Sequence, residues 1–298
     1  MKKIILVAGA TGNLGLMICL ALVGRGAAVK ALVRKDSDVT KSSILKDTGV
    51  EIIPVDYDDI ENLRKACEGV DCVISALAGL TEVILDTQKR LLDAALSAGV
   101  KRFIPSDFCT DYNALIPGEN RNFDLRRSFK EYIDKTKIAT TSIFNGAFAD
   151  ILRYNTPILN LKNKTIGYWG DKADWKLDFT TVKNTASFTS EVALDEQTPR
   201  DLHIASFQIS PNLLAEQIKS ITGQTYTVHK LGEMDQFSDS IKLQRASNPS
   251  GERELYSKWQ QSQYLYSMYS TQHSVIDNNR YENLEWTSAL EFLKSFLK

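Results

Sequence analysis

The chain has 298 residues, of which 43% are hydrophobic and 24% charged, and this composition is typical of globular proteins. A net charge of −1 gives no electrostatic reason to expect a nucleic acid or an anionic membrane as partner. The four cysteines form no C-x-x-C pair and the three histidines are widely separated, so we expect neither a metal site nor a disulfide framework. No apolar run reaches the roughly eighteen residues of a membrane span, which favours a cytoplasmic protein.

The most informative segment is the glycine-rich stretch at residues 9–15, which lies between two apolar runs. A strand, a tight turn and a helix in this order are typical of a diphosphate site, because N–H groups at the helix N-terminus point at the ligand. In the spacing G-x-x-G-x-x-G, Gly9 allows the sharp turn, Gly12 the approach of the pyrophosphate and Gly15 close helix packing. The candidate cofactor-binding residues here are Gly9, Thr11, Gly12, Asn13, Leu14 and Gly15.

The end of the second apolar strand, at residues 28–33, indicates which cofactor binds. Arg34 follows this strand, nineteen positions after Gly15, and Lys35 comes next. An NAD site usually carries Asp or Glu here, whereas an arginine accommodates a 2′-phosphate. The pair therefore favours NADP(H), with two solvated charges at a strand end as the alternative.

Strands alternate with helices up to about residue 150. The pattern predicts a strand at 50–55, a helix at 59–67, a strand at 71–75, a helix at 81–99, a strand at 101–105, a helix at 123–135 and a sixth strand at 139–144. This alternation predicts an α/β protein with a doubly wound parallel Rossmann sheet. We expect an NAD(P)-binding domain at residues 1–150 and a smaller α/β substrate lobe at 151–298 that does not fold independently. The Tyr- and Gln-rich stretch 256–272 could cover a pocket, form an interface or pack internally.

The glycine turn, Arg34 and the K-R-F-I-P-S-D-F stretch at residues 101–108 resemble the NmrA-like and isoflavone-reductase-like atypical short-chain dehydrogenases. The resemblance implies that the turn holds the pyrophosphate and that Arg34 holds the 2′-phosphate. It also implies cofactor contacts after the later strands, although ordinary turn chemistry would explain the same residue types. These are Asp56 and Tyr57 near the adenine, Ala76, Leu77 and Ala78 near the nicotinamide ribose, and Pro105, Ser106, Phe108, Asn145, Gly146, Ala147 and Phe148 near the nicotinamide.

Two parts of the sequence bear on the catalytic group. The Tyr-x-x-x-Lys pair of ordinary short-chain dehydrogenases occurs only as Tyr226 and Lys230, which we interpret as coincidence because it lies in the carboxyl-terminal lobe. The resembling enzymes carry a lysine in the helix after the fifth strand, and Arg126 aligns with it. Because arginine does not release its proton, Arg126 could orient a substrate or stabilise an enolate but not act as a base. A solvated helix face is the alternative.

Two functions fit these observations. The first is an NADPH-dependent oxidoreductase that reduces a small apolar or aromatic carbonyl, enone or quinone. The second is a non-catalytic regulator that senses NADP(H) or NAD(H) and signals the redox state to a protein partner. The substrate, the proton donor and the oligomeric state are left open by the sequence.

Overall fold

The computed structural model describes residues 2–34 and 39–297, which form two compact units, each assembled from separate segments. The first unit comprises Met1–Phe108, Leu125–Ile143 and Thr185–Leu202. The second unit comprises Cys109–Asp124, Phe144–Asn184 and His203–Lys298. A domain boundary near residue 150 stays a prediction.

The strands and helices alternate through the first half of the described chain. The strands are β1 (Ile4–Ala8), β2 (Ala28–Arg34), β3 (Glu51–Val55), β4 (Cys72–Ser75), β5 (Arg102–Ile104), β6 (Ala139–Thr140), β7 (Ser142–Phe144), β8 (Ala147–Phe148), β9 (Thr165–Trp169), β10 (Leu177–Thr180), β11 (Asp201–His203), β12 (Phe207–Ile209) and β13 (Thr227–Gly232). The α-helices are α1 (Asn13–Gly24), α2 (Val39–Asp47), α3 (Ile60–Ala66), α4 (Gln88–Ser97), α5 (Arg121–Ile133), α6 (Val182–Leu194), α7 (Pro211–Thr222), α8 (Met234–Ser247), α9 (Lys258–Ser270) and α10 (Ala289–Lys294).

The first unit is organised by a six-stranded parallel sheet in the order β3-β2-β1-β4-β5-β6. This order confirms the predicted doubly wound α/β fold. The direction of strand addition reverses between β1 and β4, and in open parallel sheets ligands bind beyond the carboxyl ends of the strands at this point. The turn at residues 9–15 leaves β1 at that edge.

The apolar run of β1 is explained by burial on both faces of the sheet. Leu6 and Ala8 pack into a core with side chains of α3, α4 and α5. Ile5 and Val7 are equally buried and, because strand side chains alternate, point to the opposite face. On that face the end of α1 is tied to α6 by an ion pair of 2.7 Å between Arg25 Nε and Glu191 Oε1.

The single strand predicted at residues 139–144 is wrong, because the structure divides this segment at Thr141. The hydroxyl of Thr141 lies 2.6 Å from that of Thr198 and donates to the Pro199 carbonyl at 3.0 Å. After this break the Ser142 N–H donates to the Arg200 carbonyl. As a result β6 extends the central sheet, whereas β7 pairs with β11.

The helix predicted at residues 81–99 begins with a different helical geometry. A π-helical turn covers Glu82–Thr87, and α4 follows it without a gap. The Thr87 hydroxyl donates to the Glu82 carbonyl at 2.8 Å, a bond that spans five residues and supports the wide turn.

The second unit has its own mixed sheets and core. β8 and β12 flank β10, in parallel and antiparallel directions respectively, and β9 pairs with β13. Trp169 is stacked on Phe237 with ring centroids 4.1 Å apart and an interplanar angle of 7°. This places Trp169 in the core of the second unit.

The Tyr- and Gln-rich stretch forms α9, which packs inside the second unit. Gln260 and Gln263 are buried and bind the first residue of α5 and the residue before it. Gln260 Nε2 donates to Asn120 Oδ1 at 2.9 Å, and the Arg121 N–H donates to Gln263 Oε1 at 3.1 Å. The buried glutamines of α9 therefore fix the backbone that leads into α5.

Candidate cofactor-binding and active site

Two positions of the glycine turn after β1, Gly9 and Gly15, have no room for a Cβ. Gly9 has a φ of +75°, and a Cβ there would lie 2.5 Å from the Ala76 carbonyl oxygen. A Cβ on Gly15 would lie 2.1 Å from the Gly9 carbonyl oxygen. The Gly12 N–H donates to that same oxygen at 2.9 Å. The turn therefore brings α1 very close to β1, as the glycine spacing predicts.

The N-terminus of α1 suits an anionic ligand. Gly12 is its N-cap and supplies no side-chain capping bond, and the first turn contains no acidic residue. Uncapped N–H groups and the positive end of the helix dipole favour a phosphate at this position. Thr11, Asn13 and Leu14 complete the turn without closing it with a carboxylate. The residues present therefore fit a dinucleotide diphosphate.

Beyond the ends of β2 and β3 lies a cavity of about 550 Å³. It brings together three of the predicted cofactor residues, Arg34, Asp56 and Tyr57. Burial raises the pKa of the Tyr57 hydroxyl despite the nearby Arg34 charge, so Tyr57 stays a neutral hydrogen-bonding group. Lys35 lies outside the described residues. A nucleotide end that carries a phosphate fits this cavity.

The opposite wall of this cavity was missed by the sequence analysis. It comes from the π-helical turn and α4, and its members are Glu82, Asp86, Thr87 and Arg90. The spacing of four between residues 82, 86 and 90 places them on similar sides of a helix and was a signal available in the sequence. This wall adds both a second arginine and two carboxylates to the cavity.

At the ends of β4 and β5, Ser106 is held by three hydrogen bonds. Its hydroxyl donates to the Leu77 carbonyl at 2.6 Å, and its N–H donates to the side chain of the buried Gln88 at 2.9 Å. Its carbonyl accepts from Arg126 Nε at 2.9 Å. The structure thus joins Leu77, Ser106 and Arg126, which the sequence analysis assigned to cofactor and substrate. Ala76, Ala78, Pro105 and Phe108 flank them along the chain.

The Arg126 guanidinium is therefore anchored to the loop after β5. A permanent cation held in this way can orient a substrate oxygen or stabilise negative charge that develops on it. It cannot exchange a proton at accessible pH.

The remaining predicted cofactor residues, Asn145–Phe148, belong partly to a tight turn in the second unit. Gly146 has a φ of +62°, and a Cβ there would lie 2.5 Å from the Asp178 carbonyl oxygen. The Thr180 hydroxyl donates to the Asn145 carbonyl at 2.6 Å. Ala147 and Phe148 form β8 beside β10. Their contact with a nicotinamide stays a prediction.

The second unit also contains a cluster of histidines and carboxylates that sequence reasoning missed. His203 Nε2 lies 2.8 Å from Asp111 Oδ2, and the His203 N–H donates to Asp277 Oδ2 at 2.7 Å. The His273 ring lies 4.9 Å from the His203 ring, and the His273 N–H donates to Asp178 Oδ2 at 2.7 Å. This cluster ties four separate segments of the unit together.

Protonation of this cluster is shaped by burial. Burial lowers the pKa of His273, Asp178 opposes this effect and the neighbouring His203 adds to it. The side chain of His273 is 2% exposed, and its Nε2 has no hydrogen-bond partner among the described residues. For Asp111, burial acts against ionisation, but hydrogen bonds from His203 and Asn113 outweigh it and lower the pKa. The cluster therefore favours a neutral His273 beside an ionised Asp111.

Two kinds of site are not found in the described part of the chain. No group of three or more His, Cys, Asp or Glu residues there is arranged to hold a metal ion. No helix of the same residues is long and apolar enough to cross a membrane. The four cysteines are buried, and none of them forms a disulfide in the structure.

Comparison with known proteins identifies the family. The sequence model of the NmrA-like family matches residues 1–296. The chain belongs to this family. A bifunctional pinoresinol-lariciresinol reductase of Linum usitatissimum is 31% identical over 208 residues, which cover 65% of this chain and 66% of that protein. The resemblance inferred from the glycine turn and residues 101–108 is thereby confirmed.

Solved structures agree on the fold. An isoflavone reductase has a TM-score of 0.84 at 23% identity, with 99% of this chain and 100% of that chain covered. A leucoanthocyanidin reductase of Vitis vinifera in complex with NADPH has a TM-score of 0.81 at 19% identity, with 99% of both chains covered. At these identities the likeness shows a shared fold and nothing further.

We predict that Gly15→Ala destabilises the protein, because its Cβ overlaps the Gly9 carbonyl oxygen. The expected loss in the free energy of unfolding is about 1–3 kcal/mol. Gly24→Ala, in the same helix, is the matched control, since a Cβ there has no neighbour within 4 Å. It should leave stability unchanged or raise it by up to about 1 kcal/mol. Urea unfolding measures both variants, and equal losses would contradict the steric account.

We predict that the protein loses stability as the pH falls below about 6.5. Because the pKa of His273 is lowered on folding, the unfolded chain takes up this proton first, and stability is lost as the pH falls through the folded pKa. One such proton contributes at most about 1.4 kcal/mol per pH unit. The groups facing His273 are Asp178, His203, Asp111 and Asp277.

The measurement is urea unfolding at pH 7.5, 6.5 and 5.5. His273→Asn should flatten the slope of stability against pH whatever its effect on absolute stability. His229→Gln, which changes the histidine outside the cluster, should keep the slope. A slope that His273→Asn leaves unchanged would show that other groups cause the pH dependence.

Proposed function

We propose that this protein is a cytoplasmic NADPH-dependent reductase of a small aromatic or apolar substrate that carries a carbonyl, enone or quinone. The observation that carries this proposal is the Gly9–Gly15 turn. Its glycines allow α1 to pack close to β1, and the N-terminus of α1 has no side-chain cap and can therefore bind an anion. Arg34, in the cavity beyond β2, supports a 2′-phosphate. The relative from Linum usitatissimum is by its name a reductase, which supports reduction as the reaction class.

In this proposal the residues of the first unit bind and orient the cofactor. The turn after β1 holds the diphosphate, Arg34 pairs with the 2′-phosphate, and Asp56 and Tyr57 border the adenosine end. Ser106, fixed by Leu77, Gln88 and Arg126, borders the nicotinamide end. When bound, NADPH supplies a hydride to an electrophilic carbon of the substrate. The protein contributes position and electrostatics.

Arg126 is assigned to the substrate oxygen. Hydride addition to a carbonyl or enone leaves negative charge on this oxygen, and a fixed guanidinium stabilises that charge. The proton that completes the reduction then comes from water, because arginine keeps its own. This division of labour differs from that of the resembling enzymes, where a lysine can exchange protons.

The reductase proposal is tested by NADPH oxidation, followed by absorbance, with a panel of quinones, enones, aldehydes and isoflavones. We expect turnover with at least one class, and a reduced product identified by mass spectrometry. NADH should support slower turnover at equal concentration. A panel without any oxidation above background would contradict the reductase assignment.

Arg126 is tested by two substitutions with opposite chemistry. Arg126→Gln should lower kcat by about 100- to 1000-fold, the loss expected for one donor to a developing oxyanion, while NADPH affinity changes little. Arg126→Lys places a titratable group at this position and should make kcat depend on pH in a range where kcat of the parent protein does not. Lys130→Gln, on the same helix, is the control and should leave kcat unchanged. Equal kcat values for the parent and Arg126→Gln would exclude this role.

A non-catalytic regulator is the second candidate. The observation that favours it is Arg126, which cannot exchange a proton and stands where the resembling enzymes carry a lysine. Tyr226 and Lys230 offer no substitute for the missing acid–base pair. Tyr226 immediately precedes β13 and Lys230 lies within it, and in an extended chain four residues span roughly 13 Å. Lys230 is also paired with Asp171 and Glu233.

Thermal unfolding with NADP+, NADPH, NAD+ and NADH separates the two candidates. A nucleotide at about 100 times its dissociation constant should add about 2.7 kcal/mol of stability in either case. Stabilisation without turnover of any substrate class, together with capture of a protein partner in only one redox state, would favour the regulator. Turnover would exclude a purely non-catalytic role.

A further inference from the structure

Among the described residues, the cavity beyond β2 is lined by more negative than positive side chains. Its lining in the described residues includes two arginines, Arg34 and Arg90, against four carboxylates. The carboxylates are Asp56, Asp58, Glu82 and Asp86. A phosphate dianion needs positive charge close to it, and Arg34 shares this cavity with four carboxylates, so Arg90 offers the phosphate a second cation. The balance of charges makes the second arginine important.

Arg90 is held toward this cavity by one exposed ion pair. Its Nη1 lies 3.1 Å from Asp58 Oδ1, with 40% of the arginine side chain and 78% of the aspartate side chain exposed. Exposed pairs of this kind contribute little net stability, so the guanidinium can turn to a stronger anion at small cost. An arginine offers five N–H donors in a planar fork that suits phosphate oxygens.

The position of Arg90 in α4 keeps it at this wall. The next two residues of α4, Leu91 and Leu92, are fully buried in the core beneath the sheet and anchor the helix. The π-helical turn that precedes α4 supplies Glu82 and Asp86 to the same cavity. The wall is therefore a helical surface anchored by buried leucines, and it presents one cation and two anions to the cavity.

We propose that Arg90 is a second determinant of cofactor selectivity, which binds the 2′-phosphate of NADP(H) together with Arg34, while Glu82 opposes that phosphate. The inference rests on the proposed cofactor site. Binding of NADPH transfers the Arg90 guanidinium from Asp58 to the phosphate. NADH carries a 2′-hydroxyl instead and gains nothing from this transfer.

The proposal is tested by equilibrium titration of the purified protein with NADPH and NADH, followed by nucleotide fluorescence and calorimetry. Arg90→Gln should weaken NADPH binding by about 10-fold or more, the effect of a lost charged hydrogen bond, and change NADH binding less than 2-fold. Glu82→Gln should act in the opposite direction and tighten NADPH binding selectively. Arg90→Lys, which keeps the charge but loses the fork, should fall between the parent and Arg90→Gln.

Arg64→Gln is the matched control. It removes the same charge from the same unit, but Arg64 is paired with Glu61 of α3 and with Glu68, which follows α3, and it does not line the cavity. It should leave both affinities unchanged. Equal weakening of NADPH and NADH by Arg90→Gln, or no weakening, would overturn the role of Arg90 while the proposed function stands. If the parent protein binds neither nucleotide, the proposed function itself fails, and this inference with it.

Discussion

The carbonyl oxygen of Gly9 is the constraint on which the first unit depends. It accepts the Gly12 N–H at 2.9 Å and leaves no space for a Cβ on Gly15. A single oxygen thus fixes the tight turn and the close approach of α1 to the sheet. This approach directs the uncapped N-terminus of α1 to the edge where the strand order reverses, so the anion site follows directly from backbone packing.

The parts of the fold that were predicted from the sequence are those decided by neighbouring residues. The glycine spacing at residues 9–15 predicts the turn, because the atoms that a Cβ on Gly15 would overlap belong to Gly9 and Ala10. The division at Thr141 could not be predicted, because its hydroxyl partner Thr198 lies 57 positions away. The local sequence there is a continuous strand former. Long-range hydrogen bonds decided the outcome.

The same distinction applies to the site. Arg34, Asp56 and Tyr57 could be assigned to one place, since the ends of adjacent parallel strands meet at one edge. Arg90 reaches that place from a helix face, and the sequence offered only its spacing. The cluster around His203 and Asp111 was hidden because its members are far apart along the chain, with 92 positions between these two. Widely separated histidines in a sequence do not exclude a histidine pair in the fold.

The central claim is that the turn after β1 holds the diphosphate of NADP(H), and the most direct measurement is a crystal structure of the protein with NADP+. We expect the diphosphate at the N-terminus of α1, within hydrogen-bond distance of the backbone N–H groups of residues 11–14, and the 2′-phosphate at Arg34. A nucleotide bound elsewhere, or none at saturating concentration, would contradict it.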